Sequence, residues 1–168
     1  VTDANGCTTT AQTVTVTGVN DDVDDGDIAY TIQVSTDDAN TADDGYDAVD
    51  PTDPSGTNTD NDTAGVTVST ISGNTTEAGG TATFTVVLNT EPTGNVRVDS
   101  ATDDSTEGTV TTGSQLTFTT VNWATPQTVT VTGVNDDVDD GDIAYNIVTV
   151  TDDTATADAL YDAVNPAD

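Results

Sequence analysis

The 168-residue chain has 31 acidic side chains against a single basic one and no histidine, so its formal net charge is −30 at neutral pH. Such self-repulsion opposes compaction and disfavours nucleic acids and anionic membranes as partners, because both bind through Lys and Arg. It favours cations, and since only three of the acids are Glu, most are Asp, the shorter acid that favours turns and packs closely around hard cations.

The strand-like segments come in a clear order along the chain. Residues 1–12 predict a hairpin arm with Asn5-Gly6 as its two-residue turn. The runs that follow alternate apolar and polar residues at a period of two and end at Gly, Asn, Asp or Pro. They are TVTVTG from Thr13, IAYTIQVST from Ile28, TATFTVVLN from Thr81, NVRVDS from Asn95, QLTFTT from Gln115 and TVTVTG from Thr128. Because no stretch has helical periodicity, the sequence predicts an all-β fold, an antiparallel sandwich of the immunoglobulin-like kind.

An internal repeat indicates tandem modules. Gln12–Tyr30 and Gln127–Tyr145 share the sequence QTVTVTGVNDDVDDGDIAY without a substitution. Residues 64–168 have the length and strands of a complete module, whereas residues 1–63 hold only the rear strands of another, followed by a linker. Because two or three strands cannot bury a core alone, we expect the first copy to be completed either by residues upstream of Val1 or by another chain.

The period-two alternation also predicts which side chains of the complete module point inward. Trp123 is expected to cover an edge or corner beside Pro126, and Tyr46 and Tyr161 to anchor the turns that close the two copies. The predicted core consists of Phe84, Val86, Leu88, Val96, Val98, Leu116, Phe118, Val129, Val131, Ile143 and Tyr145.

The loop NDDVDDGD follows TVTVTG in both copies and combines dense carboxylates with a glycine, Gly26 or Gly141, that allows a tight bend. Calcium takes six to eight oxygen ligands from carboxylates, carbonyls and water. The loop is not an EF-hand, because no register has the required acids with Gly at position six and Glu at position twelve. A solvated turn is the alternative, but close like charges without a basic neighbour favour cation binding.

The ordered segments EAGGTATFTVVLN, GNVRVDSATDD, SQLTFT and QTVTVTGVNDDVDDGDIAY resemble a Calx-beta module, the calcium-binding sandwich of sodium/calcium exchangers and of many long bacterial surface proteins. The resemblance covers residues 65–168 and, as a fragment, residues 12–53. One implied ligand is missing, because bacterial members often have Glu where this chain has Ile143. The resemblance implies calcium at one tip, held by Glu77, Asp99, Asp103, Asp104, Asp136, Asp137 and Asp140, with Asp21, Asp22 and Asp25 at the repeated positions of the first copy.

The linker TNTDNDTAG alternates Asp and Asn and resembles the calcium-binding linkers of cadherins. It predicts a further calcium held by Asp60 and Asp62, which would stiffen the joint. N-glycosylation is the competing interpretation, because Asn61 and Asn74 each begin an Asn-X-Thr acceptor triplet.

Two functions of different kinds fit these features. The leading prediction is a structural repeat module of an extracellular calcium-stiffened filament, stalk or adhesin, joined head to tail to other copies by strand complementation or to adjacent modules of one long chain. The alternative is an ice- or carbohydrate-binding module of a surface adhesin, since Thr13, Thr15 and Thr17 share one strand face. That alternative requires equivalent threonine rows side by side on neighbouring strands.

Catalysis is disfavoured, because a chain without His or Lys lacks most acid–base and nucleophile arrangements. The single cysteine, Cys7, allows no internal disulfide. No apolar run approaches the roughly 20 residues of a membrane span. We therefore expect a non-enzymatic protein at the cell surface or outside the cell, without membrane insertion, whose partners are copies of itself, calcium and covalent glycans.

Overall fold

The computed structural model describes residues 10–40, 42, 44–46, 49–139, 141–162 and 164–166. All the regular secondary structure in this part of the chain is β-strand, which confirms the predicted all-β class. The predicted turn at Asn5-Gly6 lies outside the described residues. The strands are β1 (Ile28–Thr31), β2 (Ser55–Asn58), β3 (Val66–Val68), β4 (Thr81–Leu88), β5 (Val96–Thr102), β6 (Gly108–Thr112), β7 (Gln115–Phe118), β8 (Gln127–Gly133) and β9 (Ile147–Thr151).

The chain divides into two compact units. One unit comprises residues up to Asp21 together with Ala29–Asn58, and the other comprises Asp22–Ile28 and Thr59–Asp168. Strands β1 and β2 pair to form a two-stranded sheet. All the other strands belong to the second unit, so the complete predicted module corresponds to most of that unit.

The second unit is an antiparallel β-sandwich. One sheet has the strand order β3-β4-β8-β6 and the other has the order β7-β5-β9. Every neighbouring pair is antiparallel, with Phe84 opposite Val129 in the first sheet and Val98 opposite Leu116 in the second. The inner faces of the two sheets share one hydrophobic core.

Most of the predicted core is confirmed. Trp123 and Tyr145 are partly buried and pack against the core. The prediction for Ile143 is wrong: its side chain is 44% exposed, because the residues around it form no strand in this copy and the period-two register does not extend to them. The predicted residues that are buried are Phe84, Val86, Leu88, Val96, Val98, Leu116, Phe118, Val129 and Val131.

Tyr161 is a buried member of the core that the strand pattern did not include. Its hydroxyl donates to the carbonyl oxygen of Thr90 at 2.9 Å and lies 2.7 Å from the Thr90 hydroxyl. These bonds fasten the final turn of the chain to the sandwich. Tyr46, at the matching position of the first copy, is 58% exposed.

Strand β9 reverses the usual arrangement of side chains, because its valines face outward and its threonines face inward. Val148 and Val150 are each 39% exposed, whereas Thr149 and Thr151 are buried. The Thr149 hydroxyl lies 3.2 Å from the hydroxyl of Ser100 on β5. Because the inward hydroxyls find partners, burying them carries no large penalty.

In the first unit, one described segment pairs with no other described strand. Thr10–Asn20 belongs to no strand, and all of its residues are exposed. Val14 is 80% exposed and Val16 is 48% exposed. Within this segment, Gln12–Gly18 has the sequence QTVTVTG, which is identical to that of β8.

Candidate functional site: the acidic loops

Asp60 lies at the centre of an acidic hydrogen-bonded cluster in the second unit. Its carboxylate accepts from the backbone N–H of Gly26 at 2.7 Å and of Asp62 at 2.9 Å. Its own N–H donates to Asp27 at 3.0 Å. The N–H groups of Asp62 and then Gly26 hold the pKa of Asp60 below its ordinary value. We call Asp24, Asp27, Asp60 and Asp62 the linker cluster.

The first acidic loop reaches this cluster through residues that the sequence did not single out. Asp24 accepts from the N–H of Ala64 at 2.8 Å. Gly26, with φ of +77°, makes the bend that brings Asp27 back to the linker. Because this loop has five acids in seven residues, its sequence could not show which of them would contact the linker. The predicted ligands of this loop, Asp21, Asp22 and Asp25, are exposed.

The equivalent loop of the second copy is exposed throughout its described length. Asp136 accepts from the N–H of Val138 at 2.9 Å. Asp137 has a left-handed backbone, with φ of +62°, and accepts from the side-chain amide of Asn135 at 3.1 Å. The predicted ligand Asp140 lies outside the described residues. The carboxylates of Asp136 and Asp137 are therefore each held by a local turn contact.

In the loop after β5, Asp103 bonds to the segment before β9 and Asp104 bonds within the loop itself. Asp103 accepts from the backbone N–H of Asn146 at 2.7 Å and from its side-chain amide at 2.9 Å. Asp104 accepts from the N–H of Thr106 at 3.0 Å and also from its hydroxyl. These donors, from Asn146 to Asp103 and from Thr106 to Asp104, lower the pKa of both carboxyls.

Asp99 is engaged by the only basic side chain of the chain. Arg97 donates to its two oxygens at 2.7 and 2.9 Å and also lies 3.4 Å from Asp152. The hydrogen bonds to Asp99 raise the pKa of Arg97. Both oxygens of this predicted calcium ligand therefore already have a cationic partner.

Glu77 borders a groove of about 860 Å³ in the second unit. Glu107, Asp139 and Asp142 also line this groove, so the structure brings Glu77 to the second acidic loop. Apolar side chains, Ile71 among them, form much of the remaining wall. Among the described residues, the acids that line the groove with Glu77 do not include the predicted ligands Asp136 and Asp137.

The donor chemistry of these loops suits a hard cation, since carboxylates and backbone carbonyls are the ligands that calcium takes. However, the described residues contain no group of three or more Asp, Glu, Cys or His side chains arranged to hold a metal. Many of the carboxylates instead accept backbone N–H groups. The loops thus have suitable ligands without a formed coordination shell among the described residues, and calcium stays a prediction.

The two predicted glycosylation sites are accessible. Asn61, beside the linker cluster, and Asn74, on the wall of the groove, are both exposed. In the second triplet Thr76 has its hydroxyl engaged, accepting from the N–H of Gly80 at 3.1 Å.

Threonines form an ordered array on the outer face of the four-stranded sheet. On β4 and β8, Thr81 lies opposite Thr132, Thr83 opposite Thr130 and Thr85 opposite Thr128. The array continues onto β6, where the Thr111 hydroxyl lies 3.0 Å from that of Thr132. We call this surface the threonine face. Its rows lie side by side on neighbouring strands, whereas Thr13, Thr15 and Thr17, on which the alternative function was based, belong to no strand.

Comparison with protein-family models, curated proteins and solved structures finds no match to this chain. The resemblance to Calx-beta modules therefore stays a prediction from the sequence segments. The described residues hold no helix with the length and apolar character needed to cross a membrane.

Proposed function

We propose that this chain is a structural module of an extracellular calcium-stiffened filament, stalk or adhesin, in which copies join head to tail by adding a strand to one another. One observation carries the proposal. The sequence QTVTVTG is a central strand of the sandwich as β8, yet the same sequence at Gln12–Gly18, which we call the donor segment, is exposed and belongs to no strand.

The energetic argument follows from the two environments. Val129 and Val131 of β8 are 0% exposed, whereas their counterparts Val14 and Val16 are 80% and 48% exposed. Burying one such valine contributes about 1.5–3 kcal/mol. An edge of a second copy could supply both this burial and strand hydrogen bonds, which the donor segment does not make with other described residues.

The geometry of such a contact favours a filament. A donor segment and an acceptor edge lie at different places on the chain, so the contact is heterologous. Repeated heterologous contacts give an open filament unless the rotation closes a ring.

Calcium is the proposed cation because copies with a formal charge of −30 repel each other. The linker cluster offers carboxylates at half-buried and exposed positions, and the loop around Asp136 and Asp137 offers them at exposed positions. Calcium sites of extracellular modules commonly have dissociation constants of about 10⁻⁴–10⁻³ M. Glycans attached to Asn61 or Asn74, which are both exposed, would lie on the surface of such a fibre.

Assembly of the purified chain tests the proposal. Val14→Asp with Val16→Asp places two charges on the apolar side of the donor segment, and Thr120→Asp with Val121→Asp adds the same charge at exposed positions outside it. In millimolar calcium, sedimentation velocity is expected to show large assemblies for the wild type and the control, and monomers for the donor variant. Equal assembly of all three proteins would refute strand addition.

Fibres isolated from cells distinguish strand addition from one long covalent chain. After boiling in detergent, strand addition predicts release of units of one size, enlarged only by glycans. A ladder or a very large polypeptide would show that covalent linkage, rather than strand addition, joins the modules.

The ordered threonine face favours a second candidate, an ice- or carbohydrate-binding surface. Neighbouring strands are about 4.8 Å apart and alternate residues along a strand about 6.7 Å apart, so the face presents hydroxyl and methyl groups at regular intervals. The test compares wild type with Thr83→Tyr and Thr130→Tyr, and with Thr117→Tyr on the other sheet as the control. If the wild type neither alters ice growth nor is retained on polysaccharide, this candidate is refuted.

A further inference from the structure

The edge of the four-stranded sheet at β3 has unused backbone groups. The N–H of Asn89 donates to the C=O of Gly65, and the N–H of Ser69 donates to the C=O of Thr85. These two bonds show which residues of β3 are hydrogen-bonded to β4. Antiparallel pairs alternate, so Thr67 bonds to β4 while the N–H and C=O groups of Val66 and Val68 point away from it. Among the described residues, these outward groups have no hydrogen-bond partner.

The side chains at this edge are incompletely covered. Val66 and Val68 pack against the core but remain only partly buried, whereas Val129 and Val131, which lie on an interior strand of the same sheet, are 0% exposed. Beyond the end of β3, Ile71 is 47% exposed. A strand placed beside β3 would cover these apolar side chains.

The donor segment matches this edge in its pattern of side chains. It reads Val14-Thr15-Val16, and β3 reads Val66-Thr67-Val68. In an antiparallel register that places Thr15 opposite Thr67, the valines of both strands face the core and the threonines of both face outward. This is also the arrangement of the identical sequence in β8.

Charge permits the same pairing. Residues 10–20 contain no charged side chain, and neither do residues 64–76, which include β3. Residues 108–135, which include the edge strands β6 and β7, are uncharged as well, so it is the side-chain pattern that distinguishes β3. Two uncharged strands meet with little repulsion.

We propose that the outer edge of β3 is the acceptor for the donor segment of a second copy. This inference rests on the proposed function and names the surface that completes it. The added strand becomes a fifth strand of the β3-β4-β8-β6 sheet and extends the threonine face by Thr13, Thr15 and Thr17.

A proline at the edge tests the acceptor without breaking the sandwich. Val68→Pro removes an N–H that β4 does not use, and prolines are tolerated at such edge positions. Val110→Pro is the matched control, because it removes an outward N–H from β6, the other edge of the same sheet. We expect Val68→Pro to raise the concentration needed for assembly at least tenfold and Val110→Pro to leave it unchanged.

Cross-linking provides a second test that does not depend on how the proline variants fold. In a Cys7→Ser background, chains with Thr15→Cys and chains with Thr67→Cys are mixed in calcium and treated with a short thiol cross-linker. Covalent dimers are expected from this pair, and not from Thr15→Cys mixed with Thr109→Cys on β6.

The outcomes separate the two levels of the proposal. Efficient cross-linking to Thr109→Cys, or normal assembly of Val68→Pro, overturns the β3 acceptor. If Val14→Asp with Val16→Asp still abolishes assembly in that case, strand addition stands with a different acceptor. If the donor variant also assembles normally, both the acceptor and the proposed function fail.

Discussion

A tyrosine of the repeated sequence lies against a glycine in each copy. A Cβ added at Gly108 would lie within 3.0 Å of the ring of Tyr145, and one added at Gly56 would lie within 3.0 Å of the ring of Tyr30. The Tyr145 hydroxyl also makes a hydrogen bond with the Thr75 hydroxyl. A side chain at either glycine would therefore displace a tyrosine ring, and neither glycine has the positive φ that glycine alone tolerates well.

We expect Gly108→Ala to destabilise the sandwich by about 1–3 kcal/mol, because overpacking forces side chains or backbone to move. Gly73→Ala is the control, since an added Cβ there meets nothing within 4 Å. Urea unfolding measures both variants. Equal stabilities for the two would show that Tyr145 moves aside at little cost.

Asp60 gives a pH-dependent prediction. Its pKa is lowered from 3.8 by hydrogen bonds, first from Asp62 and then from Gly26. A lowered folded-state pKa contributes stability that is present above the ordinary value and is lost as the pH falls through the folded value. Asp60→Asn is therefore expected to lower the unfolding temperature at pH 7, with the difference shrinking below pH 3.8.

Unfolding temperatures recorded in chelator from pH 7 to pH 2.5 test this expectation. Asp25→Asn is the control, because Asp25 is an exposed acid of the neighbouring loop. A stability difference between wild type and Asp60→Asn that stays constant over the whole range would contradict the role assigned to the carboxylate charge.

At the scale of the strands, identical sequences adopt different structures. QTVTVTG is β8 in the second copy but belongs to no strand at Gln12–Gly18, whereas Ile28–Thr31 is β1 and its counterpart around Ile143 is not a strand. Strand hydrogen bonds need a partner, so β structure depends on what lies beside the segment. Strand assignment from the pattern alone was therefore correct only where a partner exists.

The core was largely predictable because alternation fixes the face of each residue once a strand forms. Three features were not predictable from this pattern. Ile143 lies outside any strand, β9 turns Val148 and Val150 outward, and Tyr161 joins the core from a turn. In β9, inward hydroxyls bonded to neighbours replaced apolar contacts, and alternation cannot reveal such an exchange.

The acidic loops were predictable as a class but not residue by residue. Dense Asp beside Gly indicated tight turns, and Gly26 and Gly141 do have positive φ. The individual contacts depend on what packs nearby: Asp24 and Asp27 meet the linker, while Asp99 pairs with Arg97. Such contacts join residues distant in sequence or compete with metal binding, so spacing alone could not rank the acids.

For the whole molecule, charge governs the expected response to cations. We expect calcium to raise the unfolding temperature, because a ligand at one hundred times its dissociation constant adds about 2.7 kcal/mol to stability. Sodium chloride of matched ionic strength controls for screening, and magnesium controls for general divalent charge. Asp136→Asn with Asp137→Asn is expected to reduce the calcium effect.

A calcium effect no larger than that of matched sodium chloride would contradict the calcium proposal. The same comparison with a double variant, Asp60→Asn with Asp62→Asn, locates the calcium that stabilises the fold. Loss of the effect in this variant alone would assign the stabilising ion to the linker cluster, whereas loss only in the Asp136 and Asp137 variant would assign it to the second acidic loop.

Strand addition predicts a change in the backbone of the donor segment that hydrogen exchange detects directly. Peptides that include Ala11 report Gln12–Gly18, and peptides that include Pro126 report the identical residues of β8, which provide an internal standard. We expect β8 amides to exchange slowly in monomers and filaments alike, and donor-segment amides to exchange fast in monomers but slowly in filaments. Donor-segment amides that exchange equally fast in both states would contradict assembly through this strand.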